Sequence, residues 1–212
     1  MMLRGISDWA MRELAGVNSA FVSMAALESS NKDECFGLKK ETLARLRLLE
    51  DEARCRLARR PHALFTMRFH DVTGWTALLE QRVRDGGRVY SWPDEGSRLH
   101  QFLVMTLVTV RELAEREPPA ASVLFGIPPE LVGALNRFDI GVLPSVAVAV
   151  RPWLKACLGA RPEWWSLNII MSCARGLEPA DFHRGVHGSL MRALNLNRAR
   201  LREGRLCRRR AH

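Results

Sequence analysis

The side chains best equipped for chemistry in this 212-residue chain are its arginines. Lysine occurs only at positions 32, 39, 40 and 155, so arginine supplies nearly all of the 32 basic residues, which exceed 23 acids and leave a net charge of +9. A guanidinium offers a planar fork of donors that binds phosphate bidentately and stacks on bases. Genomic composition bias is the competing source of heavy arginine use. The distribution is uneven. From residue 190 onward Arg192, Arg198, Arg200, Arg202, Arg205, Arg208, Arg209 and Arg210 face one acid, Glu203. Such a tail attracts a polyanion without reading its sequence; the plain alternative is a solvated terminus.

Other chemistry is sparse. His183 and His187 stand four apart, a spacing that shares one helix face, but no third ligand follows at matching spacing, so they read as a surface pair and no metal site is assigned. Cys35, Cys55, Cys157, Cys173 and Cys207 are odd in number and widely spaced, with no CxxC, which gives neither a disulfide framework nor a zinc pattern. Cys173 as a nucleophile would need a base that no motif supplies. HExxH, GxSxG, P-loop and dinucleotide fingerprints are absent, so no catalytic residue and no cofactor are expected. The opening MMLRGISDWAMREL lacks the order of charged head, apolar core and cleavage site, and the apolar stretches at 102–110 and 140–150 are too short to span a bilayer. The expected setting is the reducing cytoplasm, with no membrane partner.

Two further features bear on recognition. Ser122, Gly126 and Val132 have the spacing of a helix-turn-helix, which would make 128–137 the recognition helix, with Arg137 as its one basic side chain. Trp164 and Trp165 are adjacent on an expected helix, where neighbours cannot both face one core. One of them is therefore expected at a partner interface.

These residues must be positioned by helices. Ser7 is an N-cap candidate for a helix to about residue 28, carried by Leu14, Val17, Phe21, Met24 and Leu27 at helical spacing. The polar cluster at 29–34 bends the chain. Helices follow behind Gly37 and over 51–60; residues 63–69 alternate like a strand, and 70–83 read as another helix. Gly86, Gly87, Pro93 and Gly96 mark a linker. The order then restarts: a long helix over 99–117, a bend at Pro118-Pro119, short helices around Gly126, an apolar stretch 139–150, a strand within 153–158, and a helix over 163–173 with Trp164, Leu167 and Ile170 inward. Pro179 opens a last helix to about residue 200.

The restart has a sequence basis. Residues 36–46, FGLKKETLARL, and 125–135, FGIPPELVGAL, match at six positions with an offset of 89, and Arg60-Pro61 recurs as Arg151-Pro152 at an offset of 91. The expected fold is mainly α: two repeats packed as a pseudo-dimer about an approximate twofold axis, each with at most one short strand, plus a C-terminal helix and basic tail. The expected divisions are 1–95, 96–177 and 178–212. Each half of about 90 residues is near the size where a lone core is marginal.

The pattern of a long helix, FG[L/I]xxExxxxL, a further helix and an R-F segment before a last helix resembles FlhD, the small helical subunit of a flagellar transcription activator. Relatives of FlhD occur on conjugative elements. Residues 36–49, 64–79 and 103–138 carry the resemblance. It implies no catalysis, an FlhC-like partner that holds the family's zinc-binding cysteines, and promoter binding to double-stranded DNA. The chain departs from FlhD in holding two units and a basic extension, so one chain would stand for a dimer; self-association of that chain is also allowed. The function so implied is a cytoplasmic activator subunit. The alternative is a non-DNA helical adaptor or secretion-associated chaperone using the same surface for protein partners.

Overall fold

The structure, a computed structural model, describes residues 6–28, 34–85 and 97–174. It is mainly helical, as the periodicity predicts. Helix α1 (Asp8–Glu28) starts at Ser7, whose Oγ accepts the Ala10 amide at 3.1 Å. Its inner stripe buries Leu14, Val17, Phe21 and Met24, whereas Leu27 lies outside. Strands β1 (Glu34–Cys35) and β2 (Leu38–Lys39) form a minimal hairpin, with Phe36 at φ 53° and Gly37 at φ 79° between them. Positive φ at both central residues is the requirement of a type I′ turn. Helices α2 (Lys40–Arg47) and α3 (Asp51–Ala58) follow, then strand β3 (Phe65–Thr66) and helix α4 (Val72–Arg84).

Helix α5 (Arg98–Arg116) opens with Ser97, whose Oγ accepts the His100 amide. Helix α6 (Pro118–Phe125) places its prolines in the first turn, where no amide is needed, and ends on Gly126 at φ 66°. Helices α7 (Pro129–Asn136) and α8 (Leu143–Val150) are separated by a 3-10 turn at Ile140–Val142. A second such turn at Arg151–Trp153 leads to strand β4 (Lys155–Ala156) and helix α9 (Pro162–Cys173). Residues up to Ser172 belong to one compact unit, and Cys173 begins a second.

Two expectations need correction. The first half holds three short strands, not at most one, because its FG turn closes a hairpin where the second FG caps a helix. The strand-like run 63–69 pairs only at Phe65–Thr66. Arg68 turns left-handed at φ 55° and ends it.

Helices α1 and α5 run antiparallel at the centre. Ser7 bonds the Glu117 carboxylate, the Arg116 guanidinium lies 4.9 Å from the Trp9 ring centre, and Phe21 meets Phe102. Between them sits an aromatic cluster in which Phe65 is 5.3 Å from Phe21, 5.1 Å from Phe102 and 6.3 Å from Phe125 by ring centres. Phe36, the other FG phenylalanine, reaches Phe21 at 5.9 Å. Strands β3 and β4 pair antiparallel, Phe65 with Ala156 and Thr66 with Lys155.

Local features recur about 90 residues apart: the serine caps at Ser7 and Ser97, positive φ at Arg68 and Leu158, and tight turns in which Asp71 and Arg161 donate amides to Arg68 and Leu158 carbonyls, each at 2.8 Å. The Trp75 indole donates to the Met67 carbonyl and the Trp165 indole to that of Cys157, both at 3.0 Å.

One buried amide ties the first half together. Asn18 is fully enclosed; its Nδ2 donates to the carbonyls of Ala58 and His62, and its Oδ1 accepts the Leu64 amide. It thereby fixes the chain around Arg60-Pro61 against α1. Asn18→Ala strands these buried backbone groups, and the expected loss is about 3 kcal/mol, since each unsatisfied group costs about 1–3 kcal/mol. Urea unfolding at constant m-value measures it; a loss below about 0.5 kcal/mol would show that these groups find other partners.

Candidate interaction site

Helix α9 gathers the residues that sequence reasoning singled out and several that it missed. Trp165 is fully buried and Trp164 is 6% exposed, so neither stands at a free surface and the expected exposed tryptophan is not found. The physical reason is that the helix has two neighbours. Residues one apart point about 100° apart. Trp165 faces its own half through the Cys157 carbonyl, while Trp164 faces the first half, its ring centre 5.7 Å from that of His62. The inward positions are Trp164, Trp165, Asn168, Ile169 and Ser172. Leu167 and Ile170, expected inside, are 42% and 62% exposed. The hydrophobic spacing misled because Asn168 and Ser172, polar residues, take the buried face. Ser172 Oγ donates to the Ile169 carbonyl and Asn168 Nδ2 to the Trp164 carbonyl, while Asn168 Oδ1 is buried without a partner among the described residues.

Three arginines of the first half hold α9. Arg45 of α2 donates to Ser166 Oγ at 2.9 Å, Arg56 of α3 to the Ser172 carbonyl at 2.6 Å, and Arg60 to the Asn168 carbonyl at 3.1 Å. Arg60 is fully enclosed, and burial pulls its pKa down to about 9, which still leaves it charged at neutral pH. Sequence reasoning counted these arginines only as charge. The recurring Arg-Pro pair was the one signal that Arg60 had a structural post.

The nucleic-acid candidates fare differently. Arg137 is exposed at the C-cap of α7. Helices α6 and α7, joined through left-handed Gly126, have the connectivity of a helix-turn-helix. The surface is not that of a groove reader: the first turn of α7 presents Pro129 and Glu130, and a carboxylate there repels phosphate. Arg192, Arg198, Arg200, Arg202, Arg205, Arg208, Arg209 and Arg210 lie outside the described residues, as do His183, His187 and Cys207.

Among the described residues no three His, Cys, Asp or Glu side chains are grouped to hold a metal ion. No single helix there is long and apolar enough to cross a membrane. Cys55 and Cys173 are exposed, Cys35 is buried, and burial raises the Cys157 thiol to about 11. No family model matches the chain, and no curated protein or solved structure does either.

Thiol labelling checks this arrangement. The thiolate is the reactive form, so a raised pKa removes it at neutral pH. Cys55 and Cys173 should label rapidly at pH 7.5, and Cys157 and Cys35 only after unfolding, as read by peptide mass spectrometry. Rapid native labelling of Cys157 would contradict the burial of its thiol.

Proposed function

We propose that this chain is a subunit of a bacterial transcription activator, an FlhD-like protein in which two repeats are fused into a pseudo-dimer that binds an FlhC-like partner and contributes to promoter binding. The observation that carries the fused-dimer part is the pairing of β3 with β4. Under an offset of about 90, Phe65 corresponds to Lys155 and Thr66 to Ala156, so the ladder maps onto itself when the halves exchange, as an isologous contact does. The matched tryptophan bonds, serine caps and left-handed residues support the same reading.

The activator part rests on the FG-centred resemblance, on the absence of a recognisable catalytic motif, and on the basic excess of the tail. Phosphate contacts from the tail would add affinity while leaving sequence choice to the partner. An adaptor without DNA uses the same scaffold, and the α9 arginine contacts serve it equally.

Two experiments test the reading. Trp75→Phe and Trp165→Phe remove equivalent bonds, so each should cost about 1 kcal/mol and the two should agree closely in urea unfolding; a large disparity would count against equivalent halves. Gel shifts over a salt series, with the FlhC-like protein of the same genome, should show tighter binding and a steeper salt slope for the full chain than for a chain lacking residues 198–212. An unchanged slope removes the tail from the mechanism. A stable helical partner with no DNA retardation selects the adaptor.

A further inference from the structure

The face that α9 turns toward the first half carries polar atoms that the protein itself does not satisfy. Trp164 is 6% exposed and Asn168 1%. The Trp164 indole N–H and Asn168 Oδ1 are both buried, and neither has a hydrogen-bond partner among the described residues. A buried indole N–H ordinarily finds an acceptor. Those of Trp75 and Trp165 do, in the Met67 and Cys157 carbonyls. Asn168 cannot exchange its amide ends to help, because Nδ2 donates to the Trp164 carbonyl and the reversed amide would set oxygen against oxygen.

The two atoms belong to one place. Residues four apart on a helix lie one above the other. The Asn168 side chain folds back over the turn that carries Trp164, as its 2.6 Å bond to that carbonyl requires. Both residues face the chain around Arg60-Pro61: the His62 ring centre lies 5.7 Å from that of Trp164, and Arg60 donates to the Asn168 carbonyl. At the offset of 90 that relates Trp75 to Trp165, the counterparts of Trp164 and Asn168 are Gly74 and Leu78, which bring no polar side chain. The feature therefore belongs to one half. That comparison rests on the fused-repeat reading; the two unpaired atoms do not, and neither depends on DNA binding.

We propose that α9 and the segment at 60–62 enclose a structural water site, in which one water molecule accepts from the Trp164 indole and donates to Asn168 Oδ1. The chemistry of the ligand follows from the pair. One atom offers a proton and the other needs one, and a water meets both demands in a single small volume. Magnitude favours occupancy. A buried unsatisfied group costs about 5–150-fold in the folding equilibrium, and there are two. Ordering one water costs about 30-fold at most and generally far less. An anion is the poorer fit, because Oδ1 repels it; a cation is repelled by the indole N–H and by Arg60 on the Asn168 carbonyl. The water lets a polar face of α9 pack on the first half where the counterpart helix brings apolar residues.

The test is water-to-protein NMR on the full chain, with water itself as the probe. The Trp164 indole signal is the one lost in Trp164→Phe, and triple-resonance assignment of the unaltered chain identifies it independently. Its proton should show cross-relaxation to water with opposite signs in the laboratory and rotating frames. That pattern marks a molecule held for longer than the tumbling time and separates it from proton exchange. The Trp165 indole, bonded to the Cys157 carbonyl, should show no such effect. Asn168→Leu removes the acceptor and should abolish the Trp164 effect and shift its indole signal. Absence of water cross-relaxation at the Trp164 indole would overturn the proposal. So would contacts from that proton to a protein acceptor in place of water, which would make another part of the chain the occupant. An unchanged effect in folded Asn168→Leu would overturn the bridge between the two atoms. The unaltered chain decides the first two outcomes without any variant.

Discussion

Backbone hydrogen bonding between two strands of two residues each is the constraint on which the rest of this structure turns. Phe65 and Ala156 are buried, and buried amides and carbonyls without partners are costly. Neither strand has a partner within its own half. The adjoining segments extend the exchange: Cys157 donates to the Leu64 carbonyl, Ala156 to that of Phe36, and Ala63 to that of Leu124, all within 2.8 Å. Each half thus takes up backbone groups around the FG turn of the other. Either alone would expose a row of unsatisfied groups together with Phe65 and its aromatic neighbours. A half of about 90 residues would have to offset that loss with a smaller core.

The chain beyond each strand is shaped by the same need. It must turn sharply into a helix while its last carbonyls remain buried. Arg68 and Leu158 accept a left-handed conformation, which costs about 1–3 kcal/mol at a residue with a side chain. The following tryptophan returns its indole to the carbonyl just before that residue. Indole burial and the indole bond together outweigh the strain, since a large aromatic side chain contributes about 1.5–3 kcal/mol on burial before any hydrogen bond is counted. Surface ion pairs such as Arg54–Asp51 and Arg111–Glu115 contribute little by comparison.

The helices were legible because their signals are local. Ser7 as a cap, the apolar periodicity over 99–117 and the break at Pro118-Pro119 place α1 and α5 within a residue or two of where they lie; that Ser97 caps α5 and that the two prolines form the first turn of α6 emerge from the structure. The strands were legible only as apolar stretches, because two-residue ladders are set by a partner far along the chain. The FG turn of the first half shows the same limit: Phe36 and Gly37 signal a turn, but not that Glu34 and Lys39 pair across it. Helix α9 was read with the wrong face inward. Its spacing offered Leu167 and Ile170 for the core, and nothing in a one-dimensional pattern revealed that Arg56 and Arg60 would bond its carbonyls and draw Asn168 and Ser172 inside.

That inversion bears on how the two halves differ. Arg56 and Arg60 of the first half bond α9 carbonyls and Arg45 bonds the Ser166 hydroxyl; at an offset of 89 Arg45 corresponds to Ala134, whereas Arg60 recurs as Arg151 at an offset of 91. A core held by reciprocal contacts tolerates little divergence, because a change on one side leaves a buried group on the other without its partner. The surface carries no such coupling. Differences between the halves can therefore accumulate outside without disturbing the ladder, the caps or the tryptophan bonds. A dimer of identical chains must present every surface twice, whereas two unlike halves need not. Under the fused-repeat reading, the same core of ladder and tryptophan bonds can carry two surfaces of different composition.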